Sequence, residues 1–171
     1  MADVILVDIN DQPIGKMEKL KAHQLGELHR AFSVFLFNDS KELLLQKRAS
    51  HKYHSAELWS NTCCSHPSPG EHLTTTAQNR LLEEMGLTTS LQPLFSFIYK
   101  TEFDNGLIEH ELDHVLIGSV NANPLPNPNE VSDWRYASFE EITKEIESNP
   151  NEYTFWFKEI YKRVFKYILS N

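Results

Sequence analysis

Two long runs of strand-forming residues in the second half of the chain constrain its fold more than any other feature. Residues 91–103 and 107–120 are rich in Phe, Ile, Tyr, Val and Leu. Asp104, Asn105 and Gly106 lie between the two runs, and residues of this kind form the tight turns that join antiparallel strands. The sequence therefore predicts a long β-hairpin here.

Shorter runs predict further strands. Residues 2–9 and 131–137 are typical of a first and a last strand. Residues 31–37 and 42–47 are apolar and are joined by Asn38, Asp39 and Ser40. This arrangement predicts a second hairpin, whose first strand we expect to be central in a sheet.

Three stretches predict helices. The first repeats an apolar residue every four positions and ends at a glycine suited to a left-handed cap, as Leu73, Ala77, Leu81, Met85 and Gly86. The second opens with a capping box of Ser138 and Glu141 and runs to about residue 148. The third spans residues 153–169, with a predicted core side of Phe157, Ile160, Val164, Tyr167 and Ile168. Together, the predicted strands and helices indicate a mixed α/β fold (α+β), a sandwich of a mixed β-sheet and flanking helices.

Size and charge narrow the class of protein. The chain has 171 residues, so we expect a single domain over residues 1–171. Its formal net charge of −8 argues against non-specific nucleic-acid binding, which needs a broad cationic surface. No apolar run approaches the length that spans a bilayer, and the N-terminal stretch lacks the basic region of a signal peptide. We expect a cytoplasmic monomer or weak homo-oligomer that binds neither nucleic acid nor a membrane.

The run from Trp59 to Pro67 holds the only two cysteines of the chain, Cys63 and Cys64. Neighbouring cysteines cannot close a useful loop, so a structural disulfide is not expected. In an extended backbone, side chains two positions apart project to the same side. Cys64 and His66 are therefore predicted to face one site, and Cys63 to point away from it. A structural zinc site at Cys63, Cys64 and His66 is disfavoured, because a second closely spaced pair of ligands is missing.

Glu109 and Glu111 lie two positions apart in a predicted strand, so their carboxylates project to one face. They repel each other unless a cation lies between them or one is protonated, although a solvated sheet edge is the alternative. Residues 16–30 are polar, and a loop or broken helix there would bring His23 and His29 to a common site better than a continuous helix. Together with His66, these side chains make a plausible shell for Mn²⁺, Mg²⁺ or Zn²⁺.

A second group is basic. Arg48 and Lys52 are four positions apart, and Lys19 is available from the N-terminal segment. Such a cluster in an acidic protein suits phosphate oxygens, although a solvated loop is the alternative. Glu84, which shares a helix face with Arg80, could hold a Mg²⁺ that offsets the charge of a diphosphate. The remaining histidines are interpreted as surface or packing residues, namely His51, His54, His72, His110 and His114.

Four stretches together resemble the type I isopentenyl diphosphate isomerases, a family of the Nudix superfamily. They are NTCCSHP, the following Gly70 and Glu71, the helix NRLLEEMG and the strand IEHEL, and the likeness runs from about residue 5 to residue 167. Nudix hydrolases read REUxEExG, with U an aliphatic residue. Here Asn79 and Arg80 replace the leading Arg and Glu of that signature, and Ser65 stands where it begins with Gly. The lost carboxylate argues against diphosphate hydrolysis.

The resemblance implies a role for each group of residues. It implies metal ligands at His23, His29, His66, Glu109 and Glu111. It implies catalysis by Cys64 and Glu111, with Tyr99 beside the glutamate, and a pocket lined by Trp156. It implies diphosphate binding at Lys19, Arg48, Lys52 and Arg80, with Glu84 at a bridging Mg²⁺. The implied reaction interconverts isopentenyl and dimethylallyl diphosphates. The alternatives are a Nudix-type diphosphate hydrolase and a non-catalytic metal- or phosphate-binding module.

Overall fold

The computed structural model describes residues 2–171. Its nine strands are β1 (Asp3–Val7), β2 (Pro13–Glu18), β3 (His29–Phe37), β4 (Leu43–Arg48), β5 (Trp59–Ser60), β6 (Cys63–Ser65), β7 (Gln92–Glu102), β8 (Ile108–Ser119) and β9 (Val131–Ala137). Its helices are α1 (Lys19–Leu25), α2 (Leu73–Met85), α3 (Phe139–Ser148) and α4 (Phe155–Ser170), with a 3₁₀ turn at Pro150–Glu152. None of these helices is long and apolar enough to cross a membrane.

Strand β3 is the centre of the sheet. It runs parallel to β8 from His29↔Glu111 to Phe37↔Ser119, and β6 pairs antiparallel with it. The predicted long hairpin is confirmed as β7 and β8. Gly106 in its turn has a φ of 84°, a left-handed conformation that favours glycine. The sheet is therefore mixed, with the parallel pair buried at its middle.

The two faces of β3 pack against different helices. Phe32, Val34 and Leu36 join the buried cluster that contains Ala77 and Leu81 of α2. Residues of opposite parity, among them Phe35 and Phe37, join a second cluster with the buried side chains of α4. Burial on both faces explains why this strand is apolar without alternation. The predicted sandwich of a mixed sheet and flanking helices is confirmed.

The predicted hairpin around residues 38–40 is only partly correct. Strands β3 and β4 pair at Phe37↔Leu43 alone and then separate, and β4 pairs with β9 instead. The Thr62 side chain fills the gap: its hydroxyl accepts from the Leu36 amide at 3.0 Å and donates to the Leu44 carbonyl at 2.6 Å. Leu43 to Leu45 of β4 and most of β3 are apolar without alternation, and such runs do not specify their pairing partner.

The predicted core side of the terminal helix needs one correction. Tyr167 is 39% exposed, at the edge of the apolar stripe. Trp156, Tyr161 and Phe165 are buried instead, beside the predicted Phe157. Six of the sixteen residues of this helix are aromatic and they are not confined to one side, so its composition does not mark the inner face clearly.

The segment before β3 is a broken helix, as predicted. Helix α1 ends after seven residues, and Gly26 follows it in a left-handed conformation with a φ of 71°. The chain then turns, so that His29 begins β3 while His23 stays on the helix. The break brings the two rings to a centroid separation of 5.1 Å.

Candidate active site

Strand β6 places the two cysteines on opposite faces of the sheet. Cys64 lies opposite Ser33 of β3, and Cys63 lies opposite Val34. Side chains that oppose each other across strands share a face. Cys63 is accordingly fully buried in the cluster with α2, whereas Cys64 faces the opposite side, where it borders a cavity. This is the arrangement that the alternation predicts.

The cavity has a volume of about 220 Å³ and lies at the end of the sheet where β3, β6, β7 and β8 meet. Most of the side chains singled out from the sequence line it, namely Lys19, Arg48, Lys52, Cys64, His66, Arg80, Glu84, Tyr99, Glu109, Glu111 and Trp156. His23 and His29 do not line it; they are fully buried beside the two carboxylates. The structure thus brings all the predicted site residues to one place.

Tyr99 joins the two buried carboxylates. It lies opposite Glu111 in the β7–β8 register, and its hydroxyl oxygen is 2.6 Å from Glu109 Oε1 and 2.7 Å from Glu111 Oε1. Burial and the two negative charges raise the pKa of Tyr99 well above its usual value. The group is therefore a neutral phenol with one hydrogen to share between two anionic oxygens.

Backbone carbonyls fix the tautomers of the two buried histidines. His23 Nδ1 lies 2.8 Å from the Lys19 carbonyl, and His29 Nδ1 lies 2.9 Å from the Glu27 carbonyl. A carbonyl only accepts, so each Nδ1 carries hydrogen and each neutral ring presents an Nε2 lone pair. His29 Nε2 is 3.1 Å from Glu111 Oε2. His23 Nε2 is buried without a hydrogen-bond partner, 3.7 Å from Glu109 Oε2.

Lone pairs that face carboxylate oxygens fit a divalent cation. The donor atoms of His23, His29, His66 and Glu111 all lie within 4.8 Å of one another, and His66 Nε2 is 2.6 Å from Glu111 Oε2. Imidazole nitrogen and carboxylate oxygen suit Zn²⁺, Mn²⁺ and related ions. The carbonyls that hold Nδ1 are the outer contacts typical of metal-binding histidines. The residues therefore fit a metal ion.

His54, interpreted from the sequence as a surface or packing residue, is buried and packs beside this group. It is 8% exposed, and its Nε2 lies 3.2 Å from Glu109 Oε2. With His23 and Glu109 it forms a second set of donor atoms within 4.8 Å of one another. A single histidine in a polar loop has no periodicity, so only its closeness to Lys52 in the sequence could have indicated the site.

The two carboxylates are ionised despite their burial. Burial and repulsion from Glu111 act to raise the pKa of Glu109, but the nearby His23 and His54 outweigh them and lower it. Burial likewise opposes ionisation of Glu111, yet contacts with His66 and His29 hold its pKa well below the usual value. Positively polarised neighbours thus stabilise two buried negative charges.

Cys64 lies in a different environment. Burial, reinforced by Asp113, raises the pKa of its thiol to about 12, so the sulfur is protonated at neutral pH. Asn61 Oδ1 accepts from the thiol at 3.2 Å and from Trp156 Nε1 at 3.1 Å. The Ser33 hydroxyl lies 3.8 Å from the sulfur and donates to Asp113 Oδ2 at 2.7 Å.

Sequence reasoning missed Asn61, Ser33 and Asp113. Asn61 is inside the conspicuous cysteine run, and its closeness to Cys64 was the available signal. Ser33 interrupts an apolar central strand, and Asp113 continues the alternation of Glu109 and Glu111. A polar residue in a buried strand, at an alternate position whose side chain faces the site, therefore indicates a residue of the site.

The basic residues form a second wall, and carboxylates of the protein already contact two of them. Lys52 Nζ pairs with Glu130. Arg80 donates to Glu83 and to Glu84, each at 2.6 Å. Burial raises the pKa of Glu84, whose Oε1 also accepts from Gln46 at 3.1 Å. Sequence reasoning missed Gln46 and Glu130, because neither belongs to a recognisable motif.

Two further cations lie at the cavity. The Arg48 guanidinium lies 5.3 Å from the centre of the Trp156 ring, within the range of a cation–π contact. The Lys19 ammonium lies 5.4 Å from the Tyr53 ring, and burial lowers the pKa of this lysine. The arrangement can hold an anionic group near one wall and a metal ion at the other.

Comparisons with known proteins agree with this geometry. The NUDIX domain family matches residues 27–157. The solved structure of DR0079 from Deinococcus radiodurans superposes with a TM-score of 0.72 at 20% identity, covering 86% of this chain and 90% of that one. The MutT protein from Methanosarcina mazei gives 0.65 at 18% identity, covering 84% and 96%. At these identities the two structures show the fold alone.

Relatives in sequence are more specific. The chain is 52% identical to the isopentenyl-diphosphate Delta-isomerase of Pectobacterium atrosepticum, over 96% of this chain and 92% of the relative. It is 48% identical to isopentenyl-diphosphate Delta-isomerase 2 of Aromatoleum aromaticum, over 94% and 85%. Similarity of this extent, on a NUDIX domain with the cavity described above, shows that the chain belongs to the isopentenyl-diphosphate Delta-isomerase family of the Nudix superfamily.

Proposed function

We propose that the protein interconverts isopentenyl diphosphate and dimethylallyl diphosphate by moving a carbon–carbon double bond. The supporting observation is that a protonated thiol, Cys64, and an ionised carboxylate with its phenol, Glu111 and Tyr99, border the same cavity. The reaction adds a proton to one carbon of the alkene and removes a proton from another, so it needs two proton-transfer groups. The names of the relatives support the same assignment.

Glu111 and Cys64 are the two proton-transfer groups. In one direction Glu111 donates a proton to the alkene and Cys64 accepts one from the resulting carbocation; in the other direction the roles are exchanged. The resting protonation, with the proton on Cys64, corresponds to the state in which Cys64 donates. A carboxyl group with a depressed pKa is rarely protonated but is then a strong acid, as an unactivated alkene requires. Tyr99 holds Glu111 through its hydroxyl.

The cavity stabilises the carbocation and keeps water from it. Trp156 is 3% exposed, and its indole N–H is held by Asn61. Its ring face attracts positive charge. Removing water strengthens the electrostatic interactions inside the cavity and prevents capture of the cation.

Two positive centres complete the site. His23, His29, His66, Glu109 and Glu111 would hold Mn²⁺, Zn²⁺ or Mg²⁺, which supplies positive charge beside Glu111. Glu84 would hold Mg²⁺, which would offset the negative charge of the diphosphate, and Lys19, Arg48, Lys52 and Arg80 would bind phosphate oxygens. Anchoring the diphosphate orients the alkene between the proton-transfer groups.

An isomerase assay tests the proposal. Purified protein with isopentenyl diphosphate and Mg²⁺ should form dimethylallyl diphosphate, and the reverse reaction should be measurable. Absence of product across Mg²⁺, Mn²⁺ and Zn²⁺ would reject the proposal. Phosphate release in the same reaction tests the alternative of a Nudix-type diphosphate hydrolase, which the altered helix signature does not favour.

A further inference from the structure

His54 has no role in the proposed reaction, yet it is buried beside the metal site. It lies in the loop between β4 and β5, with its ring stacked on Phe103 at a centroid distance of 4.6 Å. Tyr53 packs edge-on against it at 5.0 Å. A buried imidazole needs partners for both nitrogens.

The contacts of the two nitrogens define the tautomer of the ring. Nε2 lies 3.2 Å from Glu109 Oε2, and Nδ1 lies 3.2 Å from Ser55 Oγ. The ionised carboxylate can only accept, so a neutral His54 donates its Nε2 hydrogen to Glu109. The Ser55 hydroxyl can then donate to Nδ1. Both contacts are satisfied without a charge on the ring.

The position of His54 differs from that of the other histidines. Among residues 2–171, the larger donor group contains His23, His29, His66 and Glu111, and His54 falls only in the smaller group with His23 and Glu109. Its contact with a carboxylate of the site is the one to Glu109, at 3.2 Å, so His54 acts on the site through Glu109.

We propose that His54 is a positioning residue of the metal centre, which orients the Glu109 carboxylate by donating a hydrogen bond to Oε2. This inference rests on the proposed metal site. Carboxylates that bind metals are themselves held by hydrogen bonds, and loss of such a contact typically weakens metal affinity about 10- to 100-fold. His54 is in turn held by stacking on Phe103 and by its carbonyl, which accepts from Arg48 at 3.3 Å.

The experiment measures metal affinity without substrate. Metal-stripped protein is titrated with Mn²⁺, and free Mn²⁺ is followed by electron paramagnetic resonance. His54→Ala is expected to bind Mn²⁺ about 10- to 100-fold more weakly. His54→Gln keeps an N–H donor at a similar reach, so its affinity should stay within a few-fold of the unaltered chain. His114→Ala is the matched control, because His114 contacts a carboxylate, Asp11, at 2.9 Å away from the metal residues.

Each outcome has a distinct meaning. No Mn²⁺ binding by the unaltered chain would overturn the proposed metal site itself. Equal affinity in the unaltered chain and in His54→Ala would overturn the positioning role alone. Equal, severe losses in His54→Ala and His54→Gln, with both variants folded by circular dichroism, would make His54 a direct ligand and also overturn that role.

Discussion

The two walls of the cavity balance their charges in opposite ways. The proposed metal wall, formed by His23, His29, His66, Glu109 and Glu111, places two ionised carboxylates beside three imidazole rings. The diphosphate wall, formed by Lys19, Arg48, Lys52, Arg80 and Glu84, contains cations that partly pair with acids of the protein. The first wall presents two anionic groups that would attract a cation, whereas in the second wall acids of the protein already pair with the groups that would bind an anion.

The difference indicates how each wall meets its ligand. On the metal wall, a cation would further reduce the repulsion between Glu109 and Glu111, so binding should also stabilise the fold. On the diphosphate wall, an incoming anion must displace or share the contacts of Lys52 and Arg80 with Glu130 and Glu84. We therefore expect substitutions on the metal wall to affect turnover and stability, and those on the other wall to affect mainly KM.

Glu111→Gln should have the largest effect, because it removes a proposed proton-transfer group and a proposed metal ligand together. We expect kcat to fall by about 10⁴-fold or more. Initial rates of dimethylallyl diphosphate formation, with Mn²⁺ affinity measured in parallel, check this. Turnover within tenfold of the unaltered chain would remove Glu111 from the mechanism.

Cys64→Ala should reduce kcat by about 10²- to 10⁴-fold, since it removes the second proton-transfer group. Cys63→Ala is the matched control, because Cys63 faces the opposite side of the sheet. It should cost about 1 kcal/mol of stability and leave kcat within a few-fold. Equal kinetic losses at both positions would contradict the assignment of faces.

The effect of added metal on the free energy of unfolding should distinguish the two walls. At 100 times its Kd, Mn²⁺ should raise the free energy of unfolding by about 2.7 kcal/mol, measured by urea denaturation without substrate. Glu84→Gln should keep this increment, and Glu109→Gln should lose most of it. The comparison fails if Glu84→Gln loses the increment as well.

Glu130→Gln should have the smallest effect, and in the favourable direction. Glu130 forms an ion pair with Lys52, and its carboxylate lies 3.6 Å from the Arg80 guanidinium. Partly exposed ion pairs of this kind each contribute about 0.2–1 kcal/mol to stability. Freeing the two cations should lower the KM for isopentenyl diphosphate by up to a few-fold, with kcat unchanged. If Glu130 serves only to hold the loop between β4 and β5, which contains Lys52, steady-state kinetics at fixed ionic strength would show an unchanged or higher KM.

Alternation and caps made much of this arrangement predictable from sequence. Cys64 with His66, and Glu109 with Glu111, share faces because they occupy alternate positions of strands. Gly86 and the Ser138 capping box marked helix ends for the same local reason. Strand alternation and helix caps depend on residues that are close together in the sequence, so one sequence is enough to reveal them.

The features that escaped prediction depend on contacts distant in sequence. β4 pairs mainly with β9 rather than with β3, and the run Leu43 to Leu45 has no alternation that would indicate either partner. His54 and Asn61 gain their roles from Glu109 and Trp156, which lie 55 and 95 positions away. A lone polar residue acquires such a role only when the fold brings its partner to it.

The one-turn separation of Lys19 and His23 on α1 has a mechanical consequence. Both residues precede residue 27, where the match to the NUDIX domain begins, and the Lys19 carbonyl accepts from His23 Nδ1. One short helix therefore contributes to both walls from outside the shared domain. Because one rigid helix carries both residues, a shift of α1 that moves His23 also moves Lys19. A change at one wall would thus be transmitted to the other through this helix.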